Sequence, residues 1–407
     1  MPTKTVADLA DERIAGCRIL VRVDFNVPLD PERRITDDTR IVQALPTLRY
    51  LLERGGRLVV TSHLGRPKGE PKPEFSLRPV ADHLATLLPF PVRFSPSLTG
   101  EAATTAVAAL GDGELLLLEN TRFDPGETKN DPGLSMALAE FGEIYVNDAF
   151  GTAHRAHAST VGAGERIREK GGDAVAGFLM ERELKYLGMA LEAPERPFVA
   201  VLGGAKISGK IDVIQSLLPR VDRLLIGGAM ANTFFRALGL ETGLSLVEED
   251  RVEVARATLR EAGETLLLPV DCVVAGEISP EAMPRVVDRG SVGPEDRIGD
   301  IGPASRALFA EALAGARTVV WNGPMGVFEM EPFAEGTLVV ARAVAEVTDA
   351  GGVTVVGGGD SVSAAEKAGV TERLSHVSTG GGASLEFLAG SVLPGVAALD
   401  SRAGGAS

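Results

Sequence analysis

Two groups of phosphate-handling residues occupy separate halves of the 407-residue chain. The first half carries arginines and histidines where predicted strands end: Arg40, His63, Arg66, Arg122, His154, Arg155 and His157. The second half instead has a loop with two lysines, Gly203–Lys210, and a glycine-rich turn at 357–361. Side-chain cations suit a small, multiply charged acid, whereas backbone amides at helix starts suit the phosphate chain of a nucleotide. Two anions held by separate halves indicate a transfer reaction between them.

The composition limits the class of partner. The formal net charge is −15, which argues against nucleic acid because a phosphate backbone needs a basic protein face. The two cysteines, Cys17 and Cys272, lie far apart in sequence, so we expect no disulfide framework or zinc site, and a reducing compartment fits. The N-terminus has no apolar signal region, and no run of 18 apolar residues occurs. We therefore expect a soluble, cytoplasmic protein without a membrane partner.

Short apolar runs alternate with amphipathic segments along the whole chain. The runs lack polar alternation, as buried parallel strands do, and they are Arg18–Val23, Arg57–Thr61, Glu114–Leu118, Ile144–Asn147, Phe198–Leu202, Arg223–Ile226, Thr318–Trp321 and Val353–Val356. This alternation predicts α/β layers built on parallel, doubly wound sheets. We predict an N-terminal domain over 1–178, a joining helix over 179–193 that prolines end, a second domain over 194–390 and a tail over 391–407.

The loop Gly203–Lys210 follows a predicted strand and should open a helix. From Gly204 it fits seven positions of a nucleotide-binding P-loop, but Ile211 stands where a Ser or Thr hydroxyl should meet magnesium. Lys206 and Lys210, four residues apart, should lie on one helical face. The alternative is a surface pair of lysines on a solvated helix. The two preceding glycines favour close approach of a ligand instead.

Two further segments of the second half follow predicted strands. The turn at 357–361 precedes a predicted helix, so its amides could bind phosphate and Asp360 could hold a magnesium ion attached to that phosphate. The same pattern also occurs where a chain merely reverses direction. In the other segment, Trp321–Glu329, Pro324 and Val327 could line an adenine slot, and Glu329 could bind ribose hydroxyls.

In the first half, polar residues cluster where ligands of open α/β sheets bind, at the carboxyl ends of strands. Asp24 and Asn26 alternate after one strand and so share a face, and His63 and Arg66 follow the next strand. One such arginine would normally be a surface residue, but several in one domain indicate a binding site. No carboxylate or cysteine pattern supports metal ligation by the histidines.

Taken together, these motifs resemble the phosphoglycerate kinase family. The matching segments run nearly from end to end: Arg22–Leu29, His63–Lys68, Glu119–Asn130, Asn147–Ser159, Pro197–Lys210, Gly227–Phe235, Trp321–Glu329, Gly357–Ser361 and His376–Leu399. The resemblance implies two Rossmann-like domains, joined by a helix, with a C-terminal segment that packs back on the first domain. It implies a monomer that catalyses reversible phosphoryl transfer from 1,3-bisphosphoglycerate to ADP, giving 3-phosphoglycerate and ATP.

The resemblance also implies a set of site residues. The substrate would bind to Asp24, Phe25, Asn26, Arg40, His63, Leu64, Gly65, Arg66, Arg122 and Arg155. The nucleotide would bind to Lys210, Ile298, Asn322, Pro324, Glu329, Gly357, Gly358, Gly359, Asp360 and Ser361, with Asp360 as ligand of a Mg²⁺ ion bound with ATP or ADP and no tightly bound organic cofactor. The transferring phosphoryl group would meet Arg40, Lys206, Gly358, Gly359, Gly381 and Gly382, with the Gly380 amide beside them.

The chain departs from the family pattern at two places. Ser361 stands where many members have Thr, and the serine keeps the hydroxyl group. The sequence Glu295–Asp300 replaces the usual Gly-Trp-Met-Gly-Leu-Asp, so Ile298 stands where a glycine that contacts the nucleotide is expected. We expect no general base, since the acceptor carboxylate is already ionised, and we expect hinge closure, with the joining helix and Ser378–Thr379 as hinge positions. The alternatives are another P-loop-type nucleotide enzyme and a non-catalytic anion-binding scaffold.

Overall fold

The computed structural model describes residues 3–402. Within that range the chain forms two compact units. Unit 1 contains the residues up to Leu184 together with the segment from Val392 onward, and unit 2 spans Lys185–Ser391. Each unit contains one sheet of six strands, all parallel. The predicted fold class, two parallel-sheet α/β cores, is therefore confirmed.

The sheet of unit 1 has the strand order β3-β4-β2-β1-β5-β6. Its strands are β1 Arg18–Val23, β2 Arg57–Thr61, β3 Val92–Phe94, β4 Leu115–Leu117, β5 Ile144–Asp148 and β6 Asp173–Ala176. The helices are α1 Asp11–Ile14, α2 Thr39–Glu53, α3 Arg78–Leu87, α4 Glu101–Ala108, α5 Pro132–Ala139 and α6 Ala163–Glu169. Burial of β1, β2, β4 and β5 on both faces explains their apolar runs without alternation.

Helix α7, Phe178–Glu192, runs from unit 1 into unit 2. Its start is held by the carboxylate of Asp148 at the end of β5, whose Oδ1 accepts hydrogen bonds from the amides of Leu179 (2.9 Å) and Met180 (3.1 Å). Thr47 of α2 accepts a third bond, from the amide of Phe178 (2.9 Å). These bonds satisfy amide groups that the first turn of a helix leaves without a partner.

The main sheet of unit 2 has the strand order β15-β14-β13-β7-β8-β9. Its strands are β7 Phe198–Leu202, β8 Arg223–Ile226, β9 Leu266–Leu267, β13 Thr318–Asn322, β14 Val353–Val356 and β15 His376–Val377. The helices are α8 Ile211–Leu217, α9 Met230–Ala237, α10 Val252–Ala262, α11 Pro303–Leu313, α12 Glu335–Asp349, α13 Gly359–Lys367 and α14 Gly382–Leu388. A buried cluster that includes Trp321 and Phe309 fills the space between this sheet and its helices.

Unit 2 also contains a small antiparallel sheet that the sequence did not predict. It has the order β11-β10-β12, with β10 Asp271–Ala275, β11 Arg285–Asp288 and β12 Arg297–Ile301. Strand β11 is largely exposed and carries charge at both ends. Such a short polar segment has no apolar run to mark it as a strand.

The C-terminal segment belongs to unit 1, as the resemblance implied. Helix α15, Pro394–Ala397, places the Gly395 amide 2.8 Å from the carbonyl oxygen of Ala153. Further on, the amide of Asp400 donates to the carbonyl of Ala174 (2.7 Å), and the amide of Lys4 donates to the carbonyl of Asp400 (2.8 Å). The segments around Lys4 and Asp400 are thus neighbours in this unit. No helix within residues 3–402 is long and apolar enough to cross a membrane.

The buried carboxylate of Asp148 should give unit 1 a distinct pH dependence. Burial raises the pKa of Asp148 to about 6, although hydrogen bonds from Thr47 and the amides of Met180 and Leu179 oppose the rise. The folded state therefore holds a proton more tightly than the unfolded state, so this group favours folding more as the pH falls. Relative to Asp148→Asn, the free energy of unfolding should rise by roughly 2–3 kcal/mol between pH 7 and pH 4.

Urea unfolding of both proteins at a series of pH values measures this difference. Circular dichroism reports both units, and the fluorescence of Trp321, the single tryptophan, reports unit 2 as an internal reference. A wild-type advantage that stays constant over this pH range would contradict the raised pKa.

Candidate active site

The predicted substrate residues of unit 1 follow four strands that are neighbours in the sheet. Asp24, Phe25 and Asn26 follow β1, His63 to Arg66 follow β2, Arg122 follows β4, and Arg155 follows β5. The strand order places β4, β2, β1 and β5 side by side. Because the carboxyl ends of parallel strands meet at one edge of a sheet, these loops form a common surface.

Asp24 joins two of the predicted binding groups. It forms an ion pair with Arg40, which lies in the first turn of α2, and its Oδ1 is 3.7 Å from Nδ1 of His63. Burial alone would raise the pKa of Asp24, but the charges of Arg40 and Arg22 and the amide of Asn26 hold it below its ordinary value. Burial lowers the pKa of His63 well below its ordinary value, and nearby arginines reinforce this against the opposing charge of Asp24. Neutral His63 is therefore suited to hydrogen bonding and unsuited to acid catalysis.

The loop after β2 is held by its neighbours. The Gly65 amide donates to Oδ1 of Asn26 (2.8 Å), and Nη1 of Arg122 donates to the Gly65 carbonyl (2.8 Å). Gly65 has a φ of +62°, and a Cβ there would lie 2.4 Å from the ring of Phe75. Only glycine fits that position, so the loop conformation is imposed by packing. The Leu64 carbonyl accepts a further bond from Nδ2 of the buried Asn120 (2.7 Å).

Two arginines of this surface project toward solvent. Arg66 is exposed, and within residues 3–402 its guanidinium bonds to no other group. Arg155 is also exposed, and its Nε lies 3.1 Å from Nε2 of His154. Burial lowers the pKa of Arg122 to about 10, and the charges of Arg22 and Arg155 add to the effect. Burial is the main cause of this lowered pKa, and a bound anion would favour the charged guanidinium.

A buried network beneath this surface was missing from the sequence prediction. The guanidinium of Arg22, fully buried on β1, donates through Nε to the Ser159 hydroxyl (2.8 Å) and lies 3.3 Å from Nδ1 of His63. The Ser159 hydroxyl donates to the buried carboxylate of Glu127 (2.6 Å), which also accepts the Ser159 amide (3.0 Å). The available signal was an arginine inside an otherwise apolar strand, because a buried charge must be compensated.

In unit 2, Lys210 lies immediately before α8 with its side chain directed at the end of β13. Its Nζ donates to the carbonyl of Asn322 (2.9 Å) and also contacts Oδ1 of the same residue. Burial lowers the pKa of Lys210 to about 8, although Asp360 opposes the change. A phosphate beside Lys210 would stabilise its charged form.

The side chain of Asn322 has one remaining donor. Its Nδ2 is buried and has no hydrogen-bond partner among residues 3–402. A Cβ on Gly358 would lie 3.0 Å from that nitrogen, so the unused donor faces the turn at 357–361. Gly358 has a φ of +91° and directly precedes α13, which begins at Gly359. An unused buried donor, a lysine and the start of a helix together suit a phosphate group.

A cavity of about 230 Å³ adjoins this phosphate-binding arrangement. Four predicted nucleotide residues line it: Ile298, Pro324, Glu329 and Asp360. Small residues at 204–205 and 228–229 form part of the wall, which leaves room for a planar ring. The Ile298 amide donates to the Ser245 hydroxyl (2.9 Å), and its half-buried side chain lies at the cavity. The cavity therefore exists with isoleucine at the position where the family pattern has glycine.

Another carboxylate supports the cavity wall, and the sequence prediction missed it. Asp300, at β12, is buried and accepts hydrogen bonds from the amides of Gly336 (2.6 Å) and Ile301 (2.8 Å). Burial raises the pKa of Asp300 to about 7, against the effect of those bonds. A Cβ on Gly326 would lie 2.4 Å from its Oδ1, so Asp300 also determines how closely the loop after β13 approaches.

Three details of unit 2 differ from expectation. Residues 203–210 form turns and α8 begins at Ile211, so the prediction that Lys206 and Lys210 share a helical face was wrong. The Gly380 amide donates to the Ser378 hydroxyl (3.1 Å), so it is already paired, while Gly381 and Gly382 lie at the start of α14. The Ser361 hydroxyl accepts a bond from the Gly323 amide (2.6 Å) and so holds the neighbouring loop.

The protein groups near the predicted metal position fit a magnesium ion that is bound mainly by phosphates. No group of three His, Cys, Asp or Glu side chains in the described part of the chain could enclose a metal ion. Asp360 offers one exposed carboxylate at the cavity, near the charge of Lys210. Mg²⁺ commonly binds through one or two carboxylates together with substrate phosphates and water.

Two α/β units, one with a cluster of cations at its strand ends and one with a cavity beside a phosphate site, are the features of a nucleotide-dependent phosphotransferase. Residues 9–391 match the family model described as phosphoglycerate kinase. The chain belongs to the phosphoglycerate kinase family, so it is a kinase of glycolysis. The family membership does not favour the two alternative functions, a non-catalytic anion-binding scaffold and another P-loop-type nucleotide enzyme.

Relatives and solved structures agree with this assignment over nearly the full chain. A phosphoglycerate kinase of Chloroflexus aurantiacus is 57% identical over 404 residues, covering 98% of this chain and 99% of that protein. One of Chlorobium limicola is 55% identical over 404 residues, covering 98% and 100%. The structure of phosphoglycerate kinase from Coxiella burnetii matches with a TM-score of 0.87 at 41% identity, covering 98% of each chain.

The bridging hydroxyl of Ser159 should contribute to the stability of unit 1. Ser159→Ala leaves both Arg22 and Glu127 buried without their shared partner, so the free energy of unfolding should fall by about 1–3 kcal/mol. Urea unfolding followed by circular dichroism measures the change. Ser97→Ala is the matched control, because within residues 3–402 the Ser97 hydroxyl has no hydrogen-bond partner. Equal stability of the two variants would contradict a role for the network.

Proposed function

We propose that this chain transfers a phosphoryl group reversibly between 1,3-bisphosphoglycerate and ADP, giving 3-phosphoglycerate and ATP. The observation that carries the proposal is the presence of two anion sites of different chemistry, one in each unit. Unit 1 offers Arg66, Arg122 and Arg155 at the ends of strands that are neighbours in the sheet, as a small acid with several charges requires. Unit 2 offers Lys210, the unused donor of Asn322 and a cavity that suits a nucleoside.

The reaction needs alignment and charge neutralisation more than proton transfer. In the direction of ATP use, a carboxylate oxygen of 3-phosphoglycerate attacks the γ-phosphorus, and the bond from that phosphorus to the ADP oxygen breaks. The attacking carboxylate is already ionised, so no general base is required. This assigns His63 to binding, in agreement with its lowered pKa.

We assign charge neutralisation at the transferring group to Arg40 and Lys206. Arg40 is partly exposed, and its guanidinium is oriented by Asp24. Lys206 is exposed on the loop before α8. The amides of Gly358 and Gly359 at the start of α13, and those of Gly381 and Gly382, complete the proposed set. Such preorganised charges stabilise a transition state because they need no rearrangement when the reaction occurs.

The remaining assignments concern binding and context. The phosphoglycerate would be bound by polar residues of unit 1, namely Asp24, Asn26, His63, Arg66, Arg122 and Arg155. The ribose would be bound by Glu329 of unit 2. Asp360 would hold a magnesium ion, which neutralises part of the phosphate charge. We further propose a cytoplasmic monomer in which binding of both substrates drives hinge closure, with α7 and Ser378–Thr379 as hinge positions.

The first test is a coupled assay with 3-phosphoglycerate, ATP and magnesium, in which a dehydrogenase consumes 1,3-bisphosphoglycerate and oxidises NADH. Arg40→Ala should lower kcat by about 100-fold or more, the effect expected for loss of one preorganised charge. The Kd for ATP should stay within about threefold, because Arg40 belongs to unit 1 and the nucleotide site to unit 2. Equal losses in kcat and in ATP affinity would contradict the role of Arg40.

Lys206→Ala tests the other cation in the same assay. It should abolish most turnover while ATP still binds. The control is Lys367→Ala on α13, whose Nζ donates to the Phe328 carbonyl (2.6 Å). Absence of turnover in the folded wild-type protein would overturn the proposed reaction.

Asp360→Asn tests the proposed magnesium ligand. The variant removes the negative charge that would hold the ion, so the magnesium concentration for half-maximal turnover should rise by about tenfold, equal to roughly 1.4 kcal/mol. Asp349→Asn is a suitable control, since that carboxylate pairs with Arg373 on the surface. An unchanged magnesium requirement would remove Asp360 from the metal site.

A further inference from the structure

The loop that carries Lys206 is fixed by a carboxylate distant in sequence. Oε2 of Glu248 accepts hydrogen bonds from the amides of Ile207 (2.6 Å) and Ser208 (3.1 Å), and Oε1 accepts the Ser208 hydroxyl (2.5 Å). Since α8 starts only at Ile211, no helix determines the course of residues 203–208. The hydrogen bonds to Glu248 therefore fix the backbone of this loop, as helical hydrogen bonds would do in a helix.

Glu248 is itself anchored to a buried element. Its amide donates to the hydroxyl of Thr233 (3.2 Å), and Thr233 is buried on α9. On the other side of the contact, the side chain of Ile207 is fully buried. The segment that follows Lys206 is therefore held by packing at Ile207 and by three hydrogen bonds to one side chain.

The charge of Glu248 leaves the Lys206 ammonium available. Burial would raise the pKa of Glu248, but Ser208, the amides of Ser208 and Ile207, and the charge of Lys206 together lower it. Glu248 is thus ionised at neutral pH. Within residues 3–402 no carboxylate lies within 4.0 Å of Nζ of Lys206, and the side chain is exposed. The oxygens of Glu248 accept the amides of Ile207 and Ser208 and the hydroxyl of Ser208, so the neighbouring ammonium can meet a phosphate.

We propose that Glu248 is a positioning residue for the phosphoryl transfer, acting through Lys206. It fixes the backbone next to Lys206, so that the ammonium is already positioned near the transferring group before the reaction. The inference rests on the role proposed for Lys206. An error in placement of a reacting group costs rate more than affinity, because substrate is still bound but is not aligned.

Three variants of Glu248 separate positioning from simple structural support. Glu248→Ala should lower kcat by about 10- to 100-fold and leave the Kd for ATP within threefold. Glu248→Gln keeps an acceptor oxygen of the same reach and should recover most of kcat. Glu248→Asp keeps the charge but shortens the reach, so it should resemble the alanine variant. Glu249→Ala is the matched control, because the side chain of that exposed neighbour makes one ion pair within residues 3–402, with Arg236 at 3.5 Å.

A double-mutant cycle with Lys206→Ala shows whether Glu248 acts through the lysine. In the Lys206→Ala background, Glu248→Ala should lower kcat no further, since the effects of coupled residues are not additive. Additive losses, or an unchanged kcat in Glu248→Ala, would overturn the proposal while the role of Lys206 stands. Full activity of Lys206→Ala alone would instead remove the role of Lys206 itself, and this inference with it. If Glu248→Ala fails to fold, the Gln and Asp variants carry the same comparison.

Discussion

Compensation of one buried charge governs the structure of unit 1. Arg22 lies on a strand in the interior of the sheet, fully buried, and an unpaired charge there would offset a large part of the stability of a folded domain. Ser159 and Glu127 supply the compensation, and they come from segments that lie far from Arg22 in sequence. The network contacts the site through Arg22, whose Nη2 lies 3.3 Å from Nδ1 of His63. The charge of Arg22 also helps to lower the pKa of Arg122.

In unit 2, acidic side chains hold the glycine-rich loops of the proposed phosphate site. A phosphate site needs exposed amides and cations, yet loops rich in glycine have no side chains to hold them. Glu248 and Asp300 accept hydrogen bonds from the amides that shape these loops. Of the two nearby cations, Lys206 is exposed and can bind a phosphate directly. Lys210 donates to Asn322 at the end of β13, beside the proposed phosphate site. Acidic side chains that stabilise the loops can thus lie near a site that binds phosphate.

The sequence predicted the parts of the fold that repeat a simple pattern. Strands β1, β2, β7, β8 and β14 have the predicted bounds, because a strand buried on both faces leaves an unbroken apolar run. Strand β11 was missed since it is short, polar and largely exposed. For the site, the sequence indicated residues at strand ends, where topology alone brings them together.

What the sequence could not predict depends on contacts between distant segments. Nothing near Glu127 or Glu248 in the chain marks either as a partner of Ser159 or of the Lys206 loop, since those pairs are 32 and 41 residues apart. Lys206 was expected on a helix because the spacing of four matches a helical face. In the structure, the acceptor at Glu248 stabilises turns there, and the helix begins one turn later.

The contacts of residues 3–4 with residues 400–401 imply an order in which the two units acquire their contacts during biosynthesis. Lys4 bonds to Asp400, and Thr3 forms a bridge with Ser401, so unit 1 contains both the first and the last residues described. Unit 2 is one continuous stretch that the ribosome delivers earlier than those last residues. Domains generally fold during synthesis starting from the N-terminus. Here the unit that is begun first receives the contacts of Asp400 and Ser401 only after the whole of unit 2 has been synthesised.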